Sequence, residues 1–477
     1  MKTLTSKVVS GTKWMIAVKI IGRGGSIISA LILANLLTPK EFGLVAVGSL
    51  LISLFNTLTE FGLKQSLIFE SNKNAELFFN SAWSIELIRG FATFLLMFLF
   101  SNYASDFFNK PEAAEIIRAL AFIPLIKSLS SPRIIFIEKE IKYKKQFLND
   151  LSALIGPIFI SIPLAFILQS VWAIVVGNLV GVLIQVFVSY YIAPCKPIFS
   201  IDLSHFTKMF GFGKWIFLGS IFSYFAMELD TYVAAKYFDI TLLGIYTVGF
   251  TLANKPLIEI GKAMTKVLFP AFSIIQKDLN RLRKAYLKAS HIFYIVVIPF
   301  PIILYFISSD IVELFLKDKW RGLEIVLEIL SIATLFRVIT VPSGSLFKGI
   351  GKPSYVFYLS FIRLFALLIP IYIFKDLLNL SNLSYSVLFS NITVCVSYFI
   401  ILKFSLIKFS KMISYNLRLL IIIVIVTITT YFLSNYIESN IYRLIFIPSL
   451  YMLLYFYLIN QFISINNKNI FKVIFRV

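Results

Sequence analysis

Apolar residues recur in runs of about twenty, the length an α-helix needs to cross the hydrocarbon core of a bilayer. Such windows fall at 14–37, 44–63, 77–100, 113–137, 148–168, 171–193, 215–235, 242–268, 292–307, 323–347, 355–374, 384–406, 415–433 and 441–462. The pattern predicts an all-α polytopic membrane protein of about fourteen spans. The polar stretches between windows are short, so no extramembrane catalytic domain is expected. Residues 194–213, bounded by Pro194 and Gly213, read as a cytoplasmic linker. The N-terminus is basic and then apolar, as in a signal peptide. Its apolar part is too long for one and leads into a second window, which predicts a retained first span.

Basic residues test this map independently. Loops of one alternating set carry 26 Lys and Arg, among them Lys139, Lys142, Lys144, Lys145, Arg281 and Arg283. The other set carries 8, including Lys40, Lys110, Lys236 and Arg443. Cytoplasmic loops hold the excess of positive charge, so both termini are expected in the cytoplasm.

Composition agrees with the pattern. The chain of 477 residues is 58% hydrophobic and only 14% charged, where a soluble domain carries about 25% charged residues. Soluble and disordered classes are thereby excluded. A net charge of +21 would suggest nucleic acid in a soluble protein. Here topology accounts for it, and no nucleic-acid partner is expected. Two cysteines 200 positions apart and two histidines offer no metal or redox centre, so no cofactor is expected.

An internal repeat can be read by counting. Lys13-Trp14 precedes the first window and Lys214-Trp215 the seventh, and Gly43 and Gly244 each lie 29 residues after the respective Trp. At this offset of 201, Ala34 falls on Ala235, Val47 on Val248 and Gly48 on Gly249. The reading is a parallel repeat, with an N-lobe over 1–193 (spans one to six) and a C-lobe over 214–406 (spans seven to twelve). Residues 407–477 add two further spans and a cytoplasmic tail. Two facing lobes are a common plan for alternating-access transporters.

Ionisable residues inside spans are costly and by default face an interior cavity. Seven cations lie inside predicted spans: Lys19, Arg23, Arg89, Lys127, Lys255, Arg337 and Arg363. Lys19 and Arg23 share one helix face, with no acid on their own span between Lys13 and Lys40. They are the leading candidates to contact an anionic substrate, with pairing across helices as the alternative. Acids are fewer. Glu86 is three residues from Arg89, and Lys255, Glu259 and Lys262 are spaced four and three, so these read equally as structural ion pairs. Asp230, Glu60, Glu259 and Lys262 are candidates for ion coupling or for locking the lobes, and for Asp230 plain pairing with a basic group on another helix is the stronger reading. A cavity lined by Arg and Lys would hold phosphate oxygens and repel a cationic drug.

Three stretches carry a family resemblance. The opening SGTKWMIAVKIIGRGGSIISALILANLLTPKEFGLVAVG, the middle LDTYVAAKYFDITLLGIYTVGFTLANKPLIEIGKAMTKVLFPAFSIIQKDLNRLRKAY and LFKGIGKPSYVFY resemble Wzx-type O-antigen and exopolysaccharide flippases. These form the polysaccharide-export branch of the multidrug/oligosaccharidyl-lipid/polysaccharide exporter superfamily. The resemblance implies two lobes in a V-shaped, MATE-like arrangement in a bacterial inner membrane. It further implies that an undecaprenyl-pyrophosphate-linked oligosaccharide moves from the cytoplasmic to the outer leaflet, driven by an ion gradient. Membrane lipids, a polysaccharide polymerase and chain-length machinery are the partners it suggests. No GxxxxGK[ST] loop is present, in keeping with transport that does not use ATP. Alternatives of the same fold are a lipid II-type flippase and a drug/cation antiporter. A membrane-embedded polymerase or ligase is the alternative from another class, and the lack of a long external loop argues against it.

Overall fold

A computed structural model describes residues 28–59, 79–134, 143–200, 221–352, 354–405, 409–437 and 439–462, with Gly25 and Ile137. Among these residues the regular structure is helical. The helices are α1 (28–36), α2 (Pro39–Thr59), α3 (Phe79–Leu99), α4 (Ser101–Phe107), α5 (Ala113–Leu120), α6 (Phe122–Ser128), α7 (Tyr143–Phe159), α8 (Ser161–Leu168), α9 (Trp172–Ile192) and α10 (221–237). They continue with α11 (Ile240–Ile274), α12 (Leu279–Val297), α13 (Pro299–Phe306), α14 (Ser308–Ile311), α15 (Leu323–Gly349), α16 (Ser354–Ile373), α17 (Leu380–Ser405), α18 (Phe409–Ser434) and α19 (Asn440–Phe462).

Ten stretches are long and apolar enough to cross a membrane, and they match ten of the fourteen predicted windows. The first and seventh windows begin in residues outside the described set, and the eighth is α11. At 35 residues α11 is about 52 Å long, well beyond a core of about 30 Å. The fourth window is broken into α5 and α6. Pro124 has no N–H to offer the Leu120 carbonyl, so the ladder lapses at Ala121 while its backbone stays helical (φ −59°, ψ −25°). Pro163 interrupts α7–α8 at Ile160, and Pro301 interrupts α12–α13 at Ile298, by the same deletion of a donor.

The chain divides into two compact units, Met1–Thr247 and Val248–Val477, with the boundary inside α11. In the first, a small core of Leu33, Leu37, Ala165, Ala173 and Ile174 joins α1 to α8 and α9. The linker begins without helix. There, Ile198 N–H donates to Asn80 Oδ1 (3.1 Å) and Ser200 N–H to Ser84 Oγ (2.8 Å), laying it along the start of α3.

The first unit also shows the repeat directly. α2 opens with a capping box: Thr38 N–H donates to Glu41 Oε2 (2.7 Å), and Pro39 occupies the first helical position. α11 opens 201 residues later with Asp239 as its cap, accepting from Thr241 N–H (2.7 Å) and Leu242 N–H (2.8 Å). The two helix starts then cross through glycine. A Cβ on Gly43 would overlap the Ile240 carbonyl oxygen, and a Cβ on Gly244 would overlap that of Pro39. Each glycine faces the repeat equivalent of its own neighbour, because 240 is 39 displaced by 201.

In the second unit the core runs through α11, α12, α13 and α15–α19, with Tyr286, Tyr398, Tyr451 and Tyr455 buried in it. Buried phenols find partners: Tyr294 donates to the Ile339 carbonyl (2.8 Å), Tyr455 to that of Ile295 (3.0 Å), and Tyr286 pairs with Tyr398. The α12–α13 span is the most enclosed, 67% buried, while that of α19 is 17% buried and presents its apolar surface outward.

Candidate functional site

Of the predicted ionisable residues, Lys19, Arg23 and Glu60 lie outside the described residues. So do the side chains of Glu259 and Lys262, although their backbone belongs to α11.

Within the first unit, Arg89 holds Glu86 one turn back on α3. Its Nε donates to Oε2 at 2.9 Å and a second guanidinium nitrogen reaches Oε1. The i, i+3 spacing makes this local pair, and a guanidinium spent on its own helix is a poor candidate for cargo contact. Lys127 is exposed near the end of α6. Asp230, buried on α10, accepts a hydrogen bond from Tyr246 of α11 (2.6 Å). Its sequence neighbour Lys236 turns to α4, donating to the Phe107 carbonyl and lying 4.4 Å above the Phe107 ring. A second phenol pair stands nearby on α10, where Tyr224 and Tyr232 meet at 2.9 Å and Tyr224 donates to the Leu50 carbonyl (3.0 Å).

Within the second unit, packing of α11 against α15 and α17 assembles donors. Asn254 of α11 is fully buried, and its Oδ1 accepts from Thr334 Oγ (3.0 Å) and from Arg337 (3.4 Å) on α15. Its Nδ2 is buried with no hydrogen-bond partner. An unspent buried donor costs about 1–3 kcal/mol, so this amide is held beside a half-buried guanidinium at a standing cost. Lys255 follows on the same helix and is exposed. On the other side of α15, Asn391 of α17 donates to the Ala333 carbonyl (3.1 Å). Arg363, half-buried on α16, has its backbone carbonyl held by Ser390 Oγ (2.9 Å). Cationic side chains and an amide N–H₂ together are donors only, and donors of this kind suit an anion's oxygens. The sequence reading found Arg337 and Lys255 and missed Asn254 and Thr334. Neutral residues 80 positions apart leave no local pattern to find.

The second unit also has an almost wholly apolar cavity of about 470 Å³, lined by Pro301 and Tyr305 of α13, Leu335 of α15, and Ile423, Thr427 and Tyr431 of α18. Among the described residues no three His, Cys, Asp or Glu stand together as metal ligands.

Comparison with known proteins places this architecture. The chain is 24% identical over 404 residues to the lipopolysaccharide biosynthesis protein WzxC of Escherichia coli K12, covering 84% of this chain and 82% of that one. Its fold is that of the lipid II flippase MurJ in an inward closed conformation (TM-score 0.76, 15% identity, covering 94% of this chain and 98% of MurJ). It is also that of an inward-facing MATE-family multidrug transporter (TM-score 0.64, 14% identity, covering 83% and 98%). The model of the family described as polysaccharide biosynthesis protein matches residues 32–348, well over half of the sequence, and this multi-pass membrane protein belongs to that family.

Proposed function

We propose that the chain is a flippase rather than an enzyme. Its cargo in this reading is an undecaprenyl-pyrophosphate-linked oligosaccharide, carried by alternating access from the cytoplasmic to the outer leaflet of a bacterial inner membrane. The observation that carries it is the donor cluster of Arg337 and Asn254, with Lys255 following on α11. A guanidinium can hold phosphate oxygens in a fork, and an unspent amide N–H₂ adds donors, in surroundings of lower dielectric than water. Arg363 of the same unit, with Lys19 and Arg23, completes the cationic set. A drug/cation antiporter would need acids where these donors stand. The apolar cavity beside α13, α15 and α18 suits part of an isoprenoid chain.

The lobes over 1–193 and 214–406 would rock about this site, with both termini in the cytoplasm, drawing on an ion gradient. Asp230, Glu60, Glu259 and Lys262 stay candidates for the coupling ion or for holding the lobes. In this topology the starts of α2 and α11 lie at the outer face, and parting their glycine crossing is one step of opening outward. A polysaccharide polymerase and chain-length machinery are the partners that follow from such a cargo.

The test uses full-length protein in nanodiscs with undecaprenyl pyrophosphate as the probe, followed by native mass spectrometry. Wild type should retain the probe, and Arg337→Gln should retain it at least tenfold less. In a host deleted for its own flippase and supplied with the matching glycan genes, Arg337→Gln and Arg363→Gln should lose polymer export at unchanged membrane level. Full export by both would end the reading. Rescue of a lipid II flippase defect would transfer it to that cargo.

A further inference from the structure

The short link between α13 and α15 holds a buried acid that the transport reading leaves unused. Asp310 of α14 is 1% exposed. Its charged partner is Arg443 on the first turn of α19, at 3.6 Å from Nε to Oδ2, too long for a hydrogen bond. Both of these atoms are buried without a hydrogen-bond partner. The pair therefore has the desolvation cost of a buried ion pair without the hydrogen bonds that offset it.

The elements packed against α14 add further negative charge. The π-turn Val312–Leu316 brings Glu313, and α15 brings Glu324 and Glu328. Glu328 Oε1 accepts from Ser308 Oγ at 3.4 Å, and Glu324 accepts from Gly322 N–H at 3.0 Å. α13 contributes Tyr305, and α19 contributes Tyr442 besides Arg443. Among these described groups three further carboxylates face one guanidinium. Burial raises the Asp310 carboxyl above the ordinary carboxylate range, Arg443 pulls it back, and Glu313 raises it again.

We propose that Asp310 is a proton-binding site, and that taking up a proton releases Arg443 and with it the first turn of α19. The proton comes from water and stays on the carboxyl. The acid passes from −1 to 0, and Arg443 keeps its charge and moves to solvent. α19 belongs to the two helices outside the repeat, so a proton would free an appended helix end from the link between α13 and α15. Its use as a coupling step rests on the proposed topology, in which this link faces outward, whereas the binding itself does not.

The experiment is a pH titration of full-length protein in phosphatidylethanolamine/phosphatidylglycerol nanodiscs. An environment-sensitive fluorophore is placed at Tyr442→Cys, a 70% exposed position, with Cys195→Ser and Cys395→Ala to remove the native thiols. Between pH 8 and 5 the emission of the labelled parent should shift sigmoidally, with its midpoint above the ordinary carboxylate value of about 4. Asp310→Asn should fix the emission at the acid endpoint. Arg443→Gln keeps the acid and removes its counter-charge, and should move the midpoint up by about one pH unit. Should Asp310→Asn fail to fold, the Arg443→Gln shift decides. No transition in the parent, an unaltered one in Asp310→Asn, or an unmoved midpoint in Arg443→Gln overturns the proposal. Both faces of a nanodisc see the same buffer and no cargo is added, so failure here is separate from failure of the transport reading.

Discussion

Gly43 and Gly244 lie against each other's helix starts: the backbone at Gly43 rests on the Ile240 carbonyl, and that at Gly244 on the Pro39 carbonyl. No other residue type permits the approach, because any Cβ meets a backbone oxygen that cannot turn away. The two positions are related by the same 201 residues that relate their caps, Thr38 and Asp239. The repeat is thus written into contact as well as into sequence.

Substituting this crossing should separate the helices. Gly244→Ala is expected to destabilise the detergent-solubilised protein by about 1–3 kcal/mol, as overpacking does. Thermal unfolding followed by tryptophan fluorescence checks this, with Gly344→Ala as control, since a Cβ at Gly344 meets nothing within 4 Å. Equal Tm values for the two variants would remove the packing argument.

The Asn254 amide offers a sharper distinction. Asn254→Leu deletes an orphaned donor together with an acceptor that Thr334 and Arg337 share. A purely structural amide would show its loss only in stability. A cargo contact should lower undecaprenyl pyrophosphate retention more than tenfold in variants that still elute as a single species.

Arg89 should behave differently from Arg337. Its pair with Glu86 is one turn of one helix, and the Glu86 side chain is 42% exposed. Pairs of this kind contribute at most about 1 kcal/mol. Arg89→Gln is therefore expected to keep polymer export within about twofold of wild type, read beside Arg337→Gln in the same complementation assay.

Tyr246→Phe removes a hydrogen bond to a buried carboxylate. Bonds of this charged type contribute about 2 kcal/mol, so the variant should unfold several degrees earlier. Tyr246→Phe combined with Asp230→Asn should be less destabilised than the sum of the two single changes, since their effects share one bond. Additive losses would indicate that the two side chains act separately.

Much of the fold was legible because its signals are local. An apolar run of span length, a Thr-Pro-Lys-Glu cap before α2 and a Glu-Arg pair three apart each announce their outcome within a few residues. The proline-split helices were less so: the windows over 113–137 and 292–307 register hydrophobicity, and the lapse at Ala121 or Ile298 depends on one missing N–H. Asp230 was marked by its charge in an apolar span. Its partner was unmarked, because Tyr246 is one of 23 tyrosines, most of them ordinary interfacial or packing residues.

The sequence by itself determined that this is a helical membrane protein with a parallel repeat, since burial in lipid dictates run length and composition residue by residue. Tertiary structure decided which polar groups meet. Arg337 acquires its meaning from Asn254, 83 positions away, and Asp310 from Arg443, 133 positions away. Hydrogen bonds and ion pairs form at distances of about 3–4 Å in space, and only the packing of one helix on another sets those.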